Sequence, residues 1–195
     1  MLPPYTKLNR SIALKLYIIA EANGSGKTTF AKSFSSIHHL YFINADEIAK
    51  ELDPENITKH QVKAGRIFFQ ELNNKLHEKK SFVIETTLSG KYLIKYIDKA
   101  KKNGFEVELL YLFLEKYQTN IIRVANRVLN GGHHIPTDDI IRRFYRSKSM
   151  FEYHYKELVD KWTVYYNSDE VFEKVATDKM IYDESKWQEF KKDIK

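Results

Sequence analysis

With 195 residues the chain has room for one substantial core and is too short for two ordinary domains. Its 43% hydrophobic and 14% aromatic residues exclude a disordered chain, and the absence of cysteine excludes disulfides, thiolate metal sites and a cysteine nucleophile. A formal charge of +6 suits nucleic acid, an anionic surface or phosphorylated ligands, but the basic residues are spread over many helix faces and read first as solvated surface.

The apolar stretch from Ile12 to Ala20 is interrupted by Lys15 and is far shorter than a membrane span. Lys7 and Arg10 ahead of it would suit a signal peptide, but cleavage there would strip the strand from the glycine-rich loop that follows, so export is not expected. Lys15–Ala20 is the first predicted strand, Glu21–Gly26 a loop, and a helix starts near Lys27. Leu40–Asn44 is the second strand, with a helix from about Asp46. Gly65, Phe68, Leu72 and Leu76 keep helical spacing and predict one long helix over Lys59–Lys79. The third strand is Ser81–Thr86. Leu93, Tyr96, Ile97 and Ala100 mark the next helix, which Asn103-Gly104 terminates. Phe105–Leu114 is the fourth strand. Two helices follow, Tyr117–Asn130 and Thr137–Leu158, then late strands at Trp162–Asn167 and Val171–Ala176 and a short helix at Glu184–Lys192. Apolar runs alternating with amphipathic stretches predict an α/β fold with a parallel sheet flanked by helices.

Asn23-Gly24-Ser25-Gly26-Lys27-Thr28-Thr29 lies between the first strand and the first helix, where a phosphate cradle must sit. Its glycines let backbone N–H groups turn inward on an anion, Lys27 reaches the β- and γ-phosphates, and the Thr28 hydroxyl is a Mg²⁺ ligand. The seven residues therefore predict ATP and Mg²⁺ as cofactors and a P-loop NTPase fold. One position departs from the pattern: where a first glycine is expected stands Glu21, whose side chain is expected to face solvent.

Three further groups carry candidate chemistry. Asp46, just past the second strand, faces the crevice at the carboxyl ends of the strands and is either a general base or a helix cap. Glu85, ending the third strand, either holds Mg²⁺ through water or binds acceptor hydroxyls. Asn120, Arg123, Arg127 and Asn130 form a polar stripe opposite Ile121, Ala125 and Val128, so Arg123 and Arg127 are either lid arginines closing over a triphosphate or a solvated face. Arg142, Arg143 and Arg146 on the next helix are further candidates, of which Arg142 is assigned to substrate. Gly131-Gly132-His133-His134 reads as a hinge with a substrate-facing imidazole, because adjacent histidines do not share a face and no third metal ligand is evident. Tyr165-Tyr166-Asn167-Ser168 is either a contact to nucleotide or acceptor or an aromatic core strand, and the core strand is the reading preferred.

In this order, Asn23–Thr29, Asn44-Ala45-Asp46, Glu85-Thr86-Thr87-Leu88-Ser89-Gly90 and Gly131-Gly132-His133 resemble the zeta toxin family of P-loop kinases, within its compact branch of predicted ATPases. The resemblance runs from about Leu16 to Ser168. It implies a P-loop kinase core with a helical lid at about residues 117–158, within a single domain spanning 1–195. It implies Asp46 as catalytic base and acceptor binding by Glu85, Thr86 and Thr87. It also implies a lid arginine at Arg123 or Arg127, with His133 near the place of a second. The founding members phosphorylate the sugar of UDP-N-acetylglucosamine and are held inactive by an antitoxin, so a UDP-sugar acceptor and an antitoxin partner are what the resemblance implies.

The expected function is a cytoplasmic kinase moving the γ-phosphate of ATP to a small-molecule hydroxyl, with Lys27, Asp46, Arg123 and Arg127 catalytic. A nucleotide-binding regulatory module is the alternative that Glu21 favours. A polynucleotide-end kinase is a second alternative, but no basic stripe interleaved with aromatics stands out, so nucleic acid is not an expected partner. Nor is a membrane.

Overall fold

The computed structural model describes residues 13–132, 134–168 and 171–194. Six strands form one sheet in the order β2-β3-β1-β4-β5-β6. They are β1 (Lys15–Ala20), β2 (Tyr41–Asn44), β3 (Phe82–Thr86), β4 (Glu106–Phe113), β5 (Lys161–Ser168) and β6 (Val171–Thr177). The first five pair in parallel and β6 returns antiparallel along β5. Between and after them run α1 (Lys27–Ile37), α2 (Ala45–Leu52), α3 (Ile57–Glu78), α4 (Ile94–Lys102), α5 (Tyr117–Leu129), α6 (Thr137–Met150) and α7 (Glu184–Lys191).

Strand alternation divides the core between the two faces of the sheet. Leu16, Ile18 and Ala20 of β1 join Ile43, Ile84, Leu109, Tyr111 and Phe113 on one face, where α2, α3, α4 and α7 supply Ile48, Leu72, Ile97 and Phe190. Ile19 joins Val83, Leu110 and Leu112 on the other face, covered by Ala31, Phe30 and Phe34 of α1. Because β1 lies between β3 and β4 and is covered on both faces, its sequence KLYIIA is nearly all apolar. The α5–α6 pair has a small cluster of its own, Val124, Ile135 and Ile140 with Ile121 against them.

The helix expected over Thr137–Leu158 stops earlier. Regular α-helix ends at Met150, and Phe151–Tyr155 form a π-helical turn. That turn lets Phe151 and Tyr155 both bury completely: Phe151 meets the rings of Tyr111 and Trp162, and the Tyr155 hydroxyl donates to the carbonyl of Gly90. No described helix is long and apolar enough to cross a membrane.

Candidate active site

The sheet registers bring the site together. Asn44 at the end of β2 lies opposite Glu85 of β3, and Glu85 and Thr86 lie opposite Ile19 and Ala20, the last residues of β1. The carboxyl ends of three strands therefore meet at the glycine-rich loop, the crevice that open parallel sheets offer to ligands.

The loop has the backbone of an anion cradle. Gly24 and Gly26 take φ of +89° and +88°, a region that residues with a Cβ rarely adopt. A Cβ on Gly24 would lie 2.5 Å from the carbonyl oxygen of Asn120, and one on Gly26 would lie 2.7 Å from Asn167 Nδ2. Gly26 is the N-cap of α1 and no side chain among the described residues caps that helix, so the positive end of α1 is open to the loop. These features fit a polyphosphate.

Lys27 and Glu85 are both buried, and the Lys27 ammonium lies 3.3 Å from Glu85 Oε1. The Thr28 hydroxyl donates to the same oxygen at 2.9 Å, and Asn44 Nδ2 donates to Oε2 at 2.5 Å. Glu85 thus stands beside the phosphate-loop threonine, and the two present hard oxygen atoms of the kind that hold Mg²⁺ alongside phosphates. The sequence left Glu85 open between metal and acceptor, with the resemblance favouring acceptor; this geometry favours the metal side.

Asn44 caps α2. Its Oδ1 accepts from the backbone N–H groups of Asp46 and Glu47 at 2.7 and 3.1 Å. The capping role weighed for Asp46 is therefore filled by its neighbour two residues back. Asp46 lines a cavity of about 420 Å³ together with Asn23, Lys27, Glu85, Thr86 and Thr87. The cavity wall adds Phe68, Phe69 and Tyr92, with the Phe69 and Tyr92 rings edge to face at 5.7 Å. Thr86 bonds the Tyr92 hydroxyl at 2.8 Å and takes the N–H of Leu88 at 3.0 Å, whereas Thr87 bonds Ser89 at 3.0 Å.

A second cavity, of about 790 Å³, opens on the other side of the loop and is lined by Gly24, Gly26, Lys27, Thr28, Thr29, Arg123, Arg127, Asn167 and Phe172. Lys27 lines both. The structure thus gathers Lys27, Thr28, Arg123 and Arg127 on one side, and Lys27, Asp46, Glu85, Thr86 and Thr87 on the other.

Two expectations need correction. Arg142 does not line either cavity: it is half exposed and donates to Asp139 Oδ1 at 2.7 Å, because helical spacing turns it to solvent. Its neighbour Arg143 points inward instead, lines the first cavity and donates to Asn23 Oδ1 at 2.7 Å. Glu21 does not face solvent. It is 2% exposed, and burial pushes its carboxyl well above the usual glutamate range against the lowering pull of Lys27, Lys148, the adjacent Asn120 side-chain amide and Arg123. His133 lies outside the described residues, while His134 lines the first cavity.

Three residues that the sequence singled out turn out to hold contacts it did not foresee. Asn167, read as part of an aromatic strand, is buried and donates to the carbonyl of Ser25 inside the loop. Asn120 donates to the carbonyl of Asn23 at 2.8 Å and ties α5 to the same loop. Asn44 had a usable signal, an Asn directly ahead of an amphipathic helix; Asn167 and Asn120 had none, since only the fold brings β5 and α5 to residues 23–26.

A parallel sheet with a glycine-rich anion loop after its first strand, a buried lysine and a carboxylate at the end of the neighbouring strand define a P-loop kinase fold. The profile of the zeta toxin family matches residues 38–178, and the chain belongs to that family. An uncharacterized protein of Haemophilus influenzae is 35% identical over 122 residues, which cover 63% of this chain and 86% of that protein. Among solved structures, one from the PezAT chromosomal toxin-antitoxin system of Streptococcus pneumoniae superposes with a TM-score of 0.63 at 19% identity, covering 89% of this chain and 76% of that one. AvrRxo1-ORF1:-ORF2 with ATP gives 0.71 at 16% identity, covering 91% of this chain; the match spans 63% of that chain's length. Family and fold together make the chain a P-loop phosphotransferase that uses a nucleotide.

Proposed function

We propose that the protein transfers the γ-phosphate of ATP to a hydroxyl of a small molecule, with ATP on the Arg123–Arg127 side of Lys27 and the acceptor on the Asp46 side. The observation that carries this reading is that Lys27 lines both cavities, so one ammonium bridges the donor and acceptor compartments. Mg²⁺ bound at Thr28 and Glu85 would neutralise phosphate charge. In the transfer, the acceptor oxygen forms a bond to the γ-phosphorus as the bond to the bridging oxygen of ADP breaks. The leaving electron pair stays on ADP, and the hydroxyl proton passes to the Asp46 carboxylate. Lys27 and the loop amides hold the charge that develops, and Arg123 and Arg127, on the lid helix, close the nucleotide side and exclude water.

For the acceptor, a nucleotide sugar such as UDP-N-acetylglucosamine is supported by family membership. The Phe69–Tyr92 wall suits a planar ring, and Arg143 suits an anionic group. Pairing with an antitoxin is supported by the toxin-antitoxin system from which one structural relative comes. A cytoplasmic site of action follows from a metabolite acceptor. Incubation with γ-labelled ATP, Mg²⁺ and a metabolite panel that includes UDP-sugars tests the reading: label should move to one hydroxylated compound and not to water. Nucleotide binding with no labelled product from any acceptor would favour a regulatory module instead.

A further inference from the structure

Glu21 occupies the place of a glycine beneath a loop built to hold anions, and it is sealed from water. Both carboxyl oxygens are enclosed and have no hydrogen-bond partner. The neighbouring Asn120 is likewise enclosed, and its Oδ1 also has no partner although its Nδ2 is used on Asn23. An ionised carboxylate only accepts, so it cannot satisfy the Asn120 oxygen; a protonated one donates and can. The backbone raises no objection to a side chain here, because the non-glycine residues with positive φ among those described are His39, Lys79 and Leu88.

The surrounding charges do not change this assignment. Lys27 of α1 is engaged by Glu85 at 3.3 Å; Lys148 of α6 is engaged by Asp193 at 2.7 Å, and its ammonium lies over the Phe144 ring at 4.2 Å. Arg123 of α5 acts on Glu21 more weakly than either lysine. From β4 comes the phenol of Tyr111, bonded to Ser147 at 2.6 Å. Each cation favours ionisation of Glu21, as would the Asn120 N–H if it turned to the carboxylate, yet burial outweighs them together.

We propose that Glu21 is a positioning residue: a neutral acid that donates its proton to Asn120 Oδ1 and so locks the phosphate loop to helix α5. Asn120 then grips the loop in three ways, through its carbonyl packed on Gly24, its Nδ2 on the Asn23 carbonyl and its Oδ1 on Glu21. Arg123 and Arg127 stand on the same helix, so the lock also sets their distance from the loop. Ionising Glu21 would break the lock and put negative charge under the phosphates. Nucleotide binding is therefore coupled to proton uptake wherever the free protein has begun to lose that proton. The inference rests on the nucleotide-loop reading above.

Calorimetric titration with a non-hydrolysable ATP analogue and Mg²⁺, in buffers of different ionisation enthalpy from about pH 6 to about pH 9, tests it. Wild type should lose affinity towards the alkaline end and take up protons on binding there. Glu21→Gln, which keeps a donor for Asn120, should hold its affinity across the range and lack that uptake, and subtracting it cancels the nucleotide's own titration. Glu21→Gly completes the sequence pattern but removes the donor, and should bind about tenfold more weakly than Glu21→Gln at every pH. Infrared difference spectra of ligand-free wild type against Glu21→Gln should carry the protonated carboxyl stretch at neutral pH. Superposable wild-type and Glu21→Gln profiles, a Glu21→Gly protein binding as well as Glu21→Gln, or no carboxyl stretch would each overturn the proposal while leaving the nucleotide loop intact. Absence of binding by wild type at every pH would instead remove the loop reading, and this inference with it.

Discussion

The two cavities that meet at Lys27 are built by different means. The side proposed for the nucleotide is built around a seven-residue loop and one helix terminus, with two arginines and Asn167 closing it. The other side draws its lining from β2, α2, α3, β3, the loop after β3, the loop before α6 and α6 itself. A site made of consecutive backbone amides can be read from a short motif, because the glycines and the lysine must stand in order. A site assembled from many separate elements leaves no such pattern, and its specificity belongs to this chain rather than to the fold.

That contrast can be broken by substitution. Lys27→Ala touches both sides and should lower turnover by about 10²–10³-fold or more, with nucleotide affinity also falling. Asp46→Asn touches only the acceptor side: kcat should drop by about 10²–10⁴-fold while ATP affinity stays at the wild-type value. Equal loss of binding in both variants would mean the sides are not separate.

Stability against pH sharpens the picture beneath the loop. The folded-state pKa of Glu21 lies above its ordinary value of 4.5, so the folded protein binds more protons than the unfolded chain in the interval between them. Stability contributed at low pH is then lost as pH rises through that interval, by at most about 1.4 kcal/mol per pH unit. Denaturant melts should find Glu21→Gln gaining on wild type from about pH 4.5 upward. A constant gap would mean an ionised Glu21. The smallest effect separates two adjacent arginines. Arg143→Ala should raise the acceptor KM by about tenfold, whereas Arg142→Ala, on the solvent side, should change it less than about twofold in steady-state assays.

Much of the fold was legible in the sequence because strand and helix periods are local. Apolar runs with turn residues marked all six strands, and the order of motifs marked the family. Helix ends were less legible: Phe151–Tyr155 leave the α-helix so that two rings can bury, which depends on β4 opposite. In the site, Lys27 and Thr28 were readable from spacing alone. Arg142 and Arg143 were not separable, since both suit a lid and only packing says which one turns inward. Glu21 was misjudged for a sharper physical reason. A charged residue in a loop normally faces water, and here the fold closes over it from β4, α5 and α6, none of which its local sequence discloses.

The most direct test is a crystal structure with Mg²⁺ and a non-hydrolysable ATP analogue. The β- and γ-phosphates should lie on the amides of residues 24–28 with the ammonium of Lys27 between them, the metal against Thr28 and Glu85, and the γ-phosphate facing Asp46. Phosphates bound away from the loop, or a γ-phosphate shielded from Asp46, would contradict the account.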